Sequence, residues 1–299
     1  MPLQILELGK QFRPATSIVY PPFKNGRYME EYFYDYAIQH KDTIDIPLVY
    51  IPAFWTNIQT HPNFQTTKAN YNILLKRATS LLPPETKYFT VVQADLGVEL
   101  TLPPQTLVFG ACHGDIPLPL IYEDTTNRLV NTPRPKDKKY MASFVGTYTT
   151  HPLREKMFAF LGRKQTFKFT AKSDWTNAIP VDQAQTFIQT TLDSKFCLAP
   201  RGFGRSSFRF FEAMLLGVIP VYFWDDVEWL PYKDLLDYSK FAVSIHDGDI
   251  QRTAEVLKSI SAERYQQMQA ELLRARYYFT LEGMSKYIIQ RCSSPSSTK

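Results

Sequence analysis

The chain has 299 residues, 44% of them hydrophobic and 21% charged, which excludes a disordered protein and allows one large domain or two of ordinary size. The net charge of +5 is small for this length and includes no long basic run, so we do not expect a nucleic-acid-binding protein. The three cysteines are too few and too far apart for a disulfide framework or a metal site, so reduced thiols are expected.

The first part of the chain alternates runs with helical spacing and runs with strand-like spacing of apolar residues. Two consecutive prolines, Pro83 and Pro84, mark the end of the second helical run. The alternation predicts a parallel sheet with helices packed against it. The predicted elements are 28–40 (helix), 46–54 (strand), 67–82 (helix), 87–92 (strand) and 105–111 (strand).

Residues 123–139 are polar and charged and include two prolines, which predicts a linker between two domains. A second alternating series follows, and 249–291 has helical spacing throughout. The final seven letters, SSPSSTK, are expected to be disordered. The series comprises strands at 140–146, 166–171, 195–200, 218–223 and 241–245, and helices at 151–162, 182–193 and 207–216.

Residues 196–223, FCLAPRGFGRSSFRFFEAMLLGVIPVYF, place fixed charge between two apolar strands. The order strand, loop, helix, strand puts the loop beyond the carboxyl end of a strand, where open α/β sheets bind ligands. Ser206 or Ser207 is a suitable N-cap, and a helix N-terminus carries free N–H groups and partial positive charge. Three cations and two glycines complete a predicted phosphate or diphosphate site. They are Arg201, Gly202, Gly204, Arg205 and Arg209.

Glu212 lies three residues after Arg209, and two roles are open for it. Its carboxylate could accept hydrogen bonds from ribose hydroxyls, or it could form an i, i+3 ion pair with Arg209, worth about 0.2–0.5 kcal/mol.

A second segment, SFVGTYTTHPLREKM, has the same order of strand, loop and helix start. It carries Arg154 in the first turn of the predicted helix, where the helix dipole disfavours a cation and a bound anion would offset that effect. The alternative is a surface arginine paired with Glu155 or a nearby aspartate.

These segments resemble the exostosin-like glycosyltransferases of glycosyltransferase family 47. The resemblance is carried by F-C-L-x-P-R-G at 196–202, S-x-R-x-x-E-A-x-x-x-G-x-I-P-V at 207–221 and D-x-x-x-L-P at 226–231, after an upstream F-x-G…R segment. Order and spacing agree from Ser143 to Tyr232. Tyr232 itself stands where phenylalanine is usual, and Ala199 replaces a cysteine common in the family.

The resemblance implies an α/β fold of the GT-B type, with two Rossmann-like domains facing a cleft. The first domain, 1–135, would bind the acceptor, and the second, 136–265, would bind the nucleotide sugar. A helical segment and tail, 266–299, could pack back on the first domain.

By the same resemblance, Arg154 and Arg209 would contact the diphosphate of the donor. Hydroxyl and backbone donors would come from Ser207 and from the loop at Arg201 and Gly202. Glu212 would bind the ribose. Asp225 and Asp226 would meet the donor sugar or position the loop.

The family is expected to invert the anomeric centre, which requires a general base on the acceptor hydroxyl. Asp95, just after a predicted strand, is our choice of base. A loop aspartate is also a common turn former, and Glu99, His113 and Asp115 remain alternatives.

Trp55 and Tyr50 are predicted to bind the acceptor, because sugars stack on aromatic faces. The alternative for these two residues is core packing. His113 and Asp115 are also predicted to bind the acceptor.

The predicted function is transfer of a sugar from a UDP-sugar, with UDP-xylose favoured by the likeness to soluble algal-virus members, to an oligosaccharide or glycoprotein glycan. The alternative is a non-catalytic nucleotide-sugar or glycan-binding protein of the same fold. No divalent metal is expected, because arginines and a helix N-terminus can stabilise the leaving diphosphate and Asp247–Asp249 resembles a turn. Since no apolar stretch is long enough for an anchor, we expect a soluble protein of the cytoplasm, of the host if viral.

Overall fold

The computed structural model describes residues 2–15, 26–174 and 181–293, apart from the side chain of Val181. The chain divides into two compact units. Of the described residues, the first unit holds 2–15, 26–123 and 280–293, and the second holds 124–174 and 181–279. The first unit is therefore discontinuous in sequence, because the chain returns to it after completing the second.

The first unit is built on a four-stranded parallel sheet whose spatial order follows the sequence. Every residue of its second strand is buried, as expected for a strand covered on both faces. The strands are β1 (Val49–Tyr50), β2 (Tyr88–Val92), β3 (Thr106–Gly110) and β4 (Ile116–Pro117). The helices around it include α1 (Met29–His40), α2 (Trp55–Gln59) and α3 (Phe64–Thr79).

Aromatic side chains fill the space between α1 and this sheet. The ring centroids of Tyr50 and Phe89 lie 5.1 Å apart in a stacked arrangement, and Phe33 meets Tyr50 edge to face at 5.1 Å. Phe89 also contacts Phe109 on the next strand. These four aromatic side chains are therefore used for packing in this layer.

The second unit is built on a five-stranded parallel sheet with the order β6-β5-β7-β8-β9. The chain enters at β5, moves outward to β6, and then returns to build β7 to β9 on the other side, so the switch point lies between β5 and β7. The strands are β5 (Tyr140–Thr147), β6 (Phe167–Lys172), β7 (Ser194–Pro200), β8 (Ile219–Trp224) and β9 (Val243–His246).

Six helices of the second unit are described. They are α4 (Arg128–Asn131), α5 (Pro152–Leu161), α6 (Val181–Leu192), α7 (Phe208–Leu216), α8 (Thr253–Ser259) and α9 (Ala262–Ala275). The last helix of the chain, α10 (Leu281–Ser293), packs on α1 in the first unit. No helix within the described ranges is long and apolar enough to span a membrane.

Two parallel sheets in two α/β units confirm the predicted α/β fold with two Rossmann-like domains, the domain type of the GT-B class. The unit boundaries differ from the predicted ones at 135 and 265, since the units change at Glu123/Asp124 and at Phe279/Thr280. The reason for the first difference is Leu129 of α4, which is buried against the apolar side chains of α6 and α7. The predicted linker is thus partly a packed element of the second unit.

Other departures are local. The strand predicted at 46–54 pairs only at Val49–Tyr50, and the helical stretch at 249–291 is broken by Ser261, which caps α9 by accepting the Arg264 N–H. The Asp247–Asp249 segment opens a 3-10 helix, Asp247–Arg252. All three cysteines are buried thiols. Residues 294–299 of the predicted disordered tail lie outside the described residues.

Candidate functional site

Helix α7 begins at the position predicted for an anion site. Ser207 has the extended backbone of an N-cap, with φ −147° and ψ 125°, yet its side chain makes no capping hydrogen bond. Its Oγ atom is buried and has no hydrogen-bond partner among the described residues, and the residue is 3% exposed. Because N-cap serines usually accept an N–H of the first turn, this hydroxyl is left available to another group.

Arg209, in the first turn of α7, is held from three directions. Its Nε atom donates to the Val145 carbonyl at 2.9 Å, its guanidinium lies 4.0 Å from the centroid of the Phe187 ring, and its Nη1 atom forms an ion pair with Glu212. The ion pair that was the alternative role for Glu212 is therefore present. It is a buried pair, since Glu212 is 3% exposed, so the surface-pair energy does not describe it.

A cavity of about 260 Å³ adjoins this pair. It is lined by the carboxyl ends of β5 and β6 and by residues of α4, α6 and α7. Among the described residues that line it, the charged side chains are three cations and one carboxylate, which gives an excess of two positive charges. The charged lining residues are Arg128, Lys172, Arg209 and Glu212. An anionic ligand suits a cavity of this charge.

Arg128 is a charged residue of this cavity that sequence reasoning missed, as it also missed Lys172. Its Nη2 atom is buried without a hydrogen-bond partner among the described residues. The sequence around it is polar, and we assigned it to a linker. The apolar pair Leu129 and Val130 was the one signal that this segment packs against something.

The loop before α7 is held by an ion-pair network. Arg201 Nη1 lies 2.6 Å from Asp225 and 2.7 Å from Asp226, and Arg205 Nε lies 2.8 Å from Asp226. Although burial opposes ionisation, the Arg205 hydrogen bond, a backbone N–H and the two guanidinium charges hold the pKa of Asp226 at about 2. Of the two roles predicted for the aspartates, these contacts are those of loop-positioning residues.

Arg154 is hydrogen-bonded to the start of the same loop. Its Nε, Nη1 and Nη2 atoms donate to the carbonyls of Arg201, Thr147 and Pro200 at 2.8, 2.9 and 3.2 Å. A Cβ atom on Gly202 would lie 3.1 Å from Arg154 Nη2, so glycine permits this close approach. Arg154 therefore joins the ends of β5 and β7 at the switch point of the sheet.

Two further polar atoms around this loop are buried without a partner among the described residues, Thr150 Oγ1 and Arg201 Nε. The neighbouring His151 caps α5, its Nδ1 accepting the Leu153 N–H at 3.3 Å. In the neutral ring Nε2 then carries the proton, 3.6 Å from Asp225. Burial, followed by the charge of Arg201, lowers the pKa of His151 and favours that neutral form.

In the first unit, the loops after β2 and β3 each carry a candidate base. Asp95 is exposed, with Cys112 Sγ 3.7 Å from its Oδ1 atom. His113 is also exposed, and a Cβ atom on Gly97 would lie 3.1 Å from its Nδ1 atom, so the two loops are in contact. Both side chains are accessible to a substrate hydroxyl, as a general base must be.

The other two candidate bases have structural contacts. The Asp115 carboxylate accepts the Val108 N–H at 2.8 Å and closes the turn between β3 and β4. The Glu99 carboxylate lies 3.7 Å from Lys68 Nζ. Each of these contacts gives its carboxylate a structural role.

Trp55 and Tyr50 lie in the core, at 0% and 1% exposure. Trp55 Nε1 donates to Thr90 Oγ1 at 2.7 Å, and Tyr50 stacks on Phe89. Neither ring has an exposed face on which a sugar could stack, so core packing, the alternative interpretation, describes them. The aromatic character that suggested an acceptor site is equally required by a core.

A buried carboxyl that sequence reasoning missed lies at the end of β2. Glu30, fully buried, accepts the Gln93 N–H at 2.8 Å and both the N–H and the hydroxyl of Thr56 at 3.0 and 2.8 Å. Burial raises its pKa to about 7, against the opposing effect of these hydrogen bonds. Because Gln93 opens the loop that carries Asp95, Glu30 fixes the start of that loop.

The described residues contain no group of three or more His, Cys, Asp or Glu side chains that could hold a metal ion. The charged groups of the α7 region are instead cations and the carboxylates paired with them.

A comparison with family models finds a match to the Exostosin GT47 domain over residues 108–260, just over half of the chain. All the residues described around α7 and its cavity fall within that range, as does His113, whereas Asp95 lies before it.

Curated relatives match shorter stretches. The chain is 28% identical to Exostosin-1 of Drosophila melanogaster over 197 residues, 57% of this chain and 25% of that protein. It is 34% identical to the probable glucuronosyltransferase GUT1 of Oryza sativa subsp. japonica over 94 residues, 31% of this chain and 22% of that protein. The chain thus spans a quarter or less of the length of these two relatives. Among solved structures, TarM matches with a TM-score of 0.36 and 9% identity, covering 74% of this chain and 57% of that one.

Proposed function

The chain belongs to the exostosin GT47 domain family, and on that premise we propose that it transfers a sugar from a UDP-sugar to a hydroxyl group of a glycan acceptor, with inversion at the anomeric carbon. The observation that carries this proposal is the cavity beside the N-terminus of α7, with its excess of positive charge and its one buried carboxylate. A nucleoside diphosphate offers the matching groups, namely phosphate oxygens for the cations and hydroxyls for the carboxylate.

We propose that the diphosphate is bound by Arg209 and Arg128 and by the hydroxyl of Ser207. The unpartnered donor of Arg128 and the unused Oγ of Ser207 support this role, because buried polar groups are normally hydrogen-bonded. The partial positive charge at the N-terminus of α7 acts in the same direction.

Glu212 is proposed to accept hydrogen bonds from the ribose hydroxyls. Its ion pair with Arg209 keeps the carboxylate charged and oriented at the cavity wall, which is compatible with a second partner on its remaining lone pairs. The pair and the ribose role are thus complementary.

In the reaction, the acceptor oxygen forms a bond to the anomeric carbon while the bond from that carbon to the UDP oxygen breaks. The acceptor proton passes to a general base, for which we propose Asp95, and the bonding electrons leave with UDP. Cations and helix N–H groups that stabilise the growing negative charge on the diphosphate lower the barrier. Arg201, Arg154, Asp225 and Asp226 position the loop that frames this site.

The donor sugar can be identified by comparing nucleotide sugars. UDP-xylose is retained as the first donor to test, while relatives of the chain include a probable glucuronosyltransferase and a probable arabinosyltransferase. A donor screen should therefore include UDP-xylose, UDP-glucuronate and UDP-arabinose.

The decisive experiment measures UDP release and glycan product for each donor, with and without acceptor, and repeats the active combination in excess EDTA. We expect acceptor-dependent UDP release from one donor and continued transfer with EDTA. UDP binding without turnover of any donor would contradict the catalytic proposal and indicate a nucleotide-sugar-binding protein. Loss of transfer with EDTA, restored by manganese, would contradict the metal-independent stabilisation of the leaving group.

A further inference from the structure

A second group of cations lies at the opposite end of α7. The helix ends at Gly217, which has the left-handed backbone of φ 71° and ψ 30°. The guanidinium of Arg134 lies against this residue, since a Cβ atom on Gly217 would be 2.8 Å from Arg134 Nε. Glycine thus provides both the turn and the space for the arginine.

Arg276 is the second arginine of this group. It begins the 3-10 helix Arg276–Phe279, which follows α9 and packs on α7. Its Nε and Nη2 atoms are buried and have no hydrogen-bond partner among the described residues. Burial lowers the pKa of Arg276 to about 10, and the nearby charge of Arg134 lowers it as well.

Lys138 adds a third positive charge nearby. Its Nζ atom donates to the Leu192 carbonyl at 2.7 Å. Burial lowers its pKa, and the charge of Arg134 acts in the same direction, against the attraction of Asp193. Within the ranges that the structure describes, no carboxylate forms an ion pair with Arg134 or Arg276.

The helix dipole explains only part of this arrangement. The partial negative charge at the C-terminus of α7 favours one cation there, which accounts for Arg134. It does not account for Arg276, because two buried donors without a partner, on a guanidinium beside a like charge, are unfavourable unless an acceptor satisfies them.

The unused atoms of Arg276 indicate the shape of that acceptor. Nε and Nη2 lie on the same edge of the guanidinium and donate in parallel, which matches two oxygens of one phosphate, sulfate or carboxylate group. Arg134 would approach the same group from the side of Gly217.

We propose that Arg134 and Arg276 form an anion site at the C-terminus of α7, which binds one oxyanion between their guanidinium groups. This site is separate from the proposed donor site. Neither arginine lines the donor cavity, and the nine residues of α7 place its two ends roughly 13 Å apart.

The test is calorimetric titration of inorganic phosphate into the full chain at constant ionic strength in chloride. Arg276→Gln and Arg134→Gln should each raise the phosphate dissociation constant at least roughly tenfold, the scale of one lost charge-assisted hydrogen bond. Arg274→Gln is the matched control, because this exposed arginine of α9 is already paired with Glu271 and should leave phosphate binding unchanged. Repeating the titration with acetate separates a preference for a phosphate group from one for a carboxylate.

Ser207→Ala distinguishes the two ends of α7. Phosphate binding that is lost in Ser207→Ala and kept in Arg276→Gln would place the anion at the N-terminus and overturn the proposal. Equal dissociation constants in the original chain and in Arg276→Gln would also overturn it.

Thermal unfolding gives an independent reading. Without phosphate, Arg276→Gln should melt at a higher temperature than the original chain, because it removes a part-buried charge whose two buried donors have no partner among the described residues. Phosphate should then raise the melting temperature of the original chain and of Arg274→Gln more than that of Arg276→Gln. Equal shifts in all three would reflect only the general effect of the salt and contradict the site.

Discussion

At the carboxyl ends of their strands, the two units hold charged side chains in different ways. In the second unit, Arg201 is tied to Asp225 and Asp226, and Arg209 to Glu212, before any ligand binds. In the first unit, Asp95 and His113 are exposed on neighbouring loops. A group that binds a fixed charge gains from being held in place, whereas a group that exchanges a proton must be reached by its substrate.

Asp95→Asn tests this contrast where the expected effect is largest. The amide preserves shape but cannot take a proton, so transfer should fall roughly 10²–10⁴-fold, the scale of general-base catalysis. UDP affinity, measured by calorimetry, should not change. His113→Asn is the companion variant: if it abolishes transfer while Asp95→Asn remains near normal, the base is His113 and Asp95 is not catalytic.

Glu30 is the exception in the first unit, a buried carboxyl beneath an exposed loop. In the unfolded chain the Glu30 carboxyl loses its proton near pH 4.5, whereas in the folded chain it keeps the proton to about pH 7. The contribution of Glu30 to the free energy of unfolding should therefore fall by about 3 kcal/mol between these pH values and stay constant above them.

Glu30→Gln should remove this dependence of the free energy of unfolding on pH, here called the slope. Urea unfolding at several pH values measures it. Glu85→Gln, a substitution at an exposed carboxylate of the same unit, serves as the control and should leave the slope in place. An unchanged slope in Glu30→Gln would show that the buried carboxyl is not its source.

Arg128→Gln sharpens the comparison inside the second unit. Arg128 has a buried donor without a partner, so its loss should weaken UDP binding by about 1.5–3 kcal/mol and leave the stability of the unliganded chain nearly unchanged. Arg209→Ala should cause a similar loss of affinity together with a loss of stability, because it leaves the Glu212 carboxylate buried without this partner. Calorimetry with UDP and thermal unfolding separate the two effects, with the exposed Arg163→Gln as control. Undiminished UDP binding in Arg128→Gln would remove Arg128 from the site.

Asp226→Asn should have the smallest effect. The low pKa of Asp226 means that the carboxylate stabilises the folded state above pH 3.8, and that this contribution is lost as the pH falls towards 2. Because its side chain is 44% exposed, solvent screening limits the contribution at neutral pH to less than about 1 kcal/mol. Urea unfolding at pH 7 measures it, and a larger loss would mean that the whole loop depends on this one residue.

The sequence predicted the α7 region well because its signals are local. Apolar strands flank the loop, Ser207 precedes the helix, Gly217 ends it, and the arginines lie within a few residues of one another. The length of strand β1 was overestimated, because an apolar run indicates burial and does not by itself indicate pairing with a neighbouring strand.

The rest depended on contacts distant in sequence. Glu30 was missed because its partners lie 26 and 63 residues away, and a glutamate in the first turn of a helix usually faces solvent. Arg128 was missed because a polar segment looks the same in sequence whether it is a linker or lines a cavity. Trp55 could not be assigned to a core or to a sugar site, because both require the same apolar ring.

The return of the chain to its first unit has a consequence for how the protein is made. Residues 124–279 form one continuous stretch, and the second unit can fold as soon as that stretch has left the ribosome. The first unit has to wait for α10, which is about 240 residues from its neighbour α1 and buries Leu281, Met284 and Ile288. We therefore expect synthesis to proceed with the later unit complete first, while the earlier one keeps an uncovered apolar surface until translation reaches its final helix.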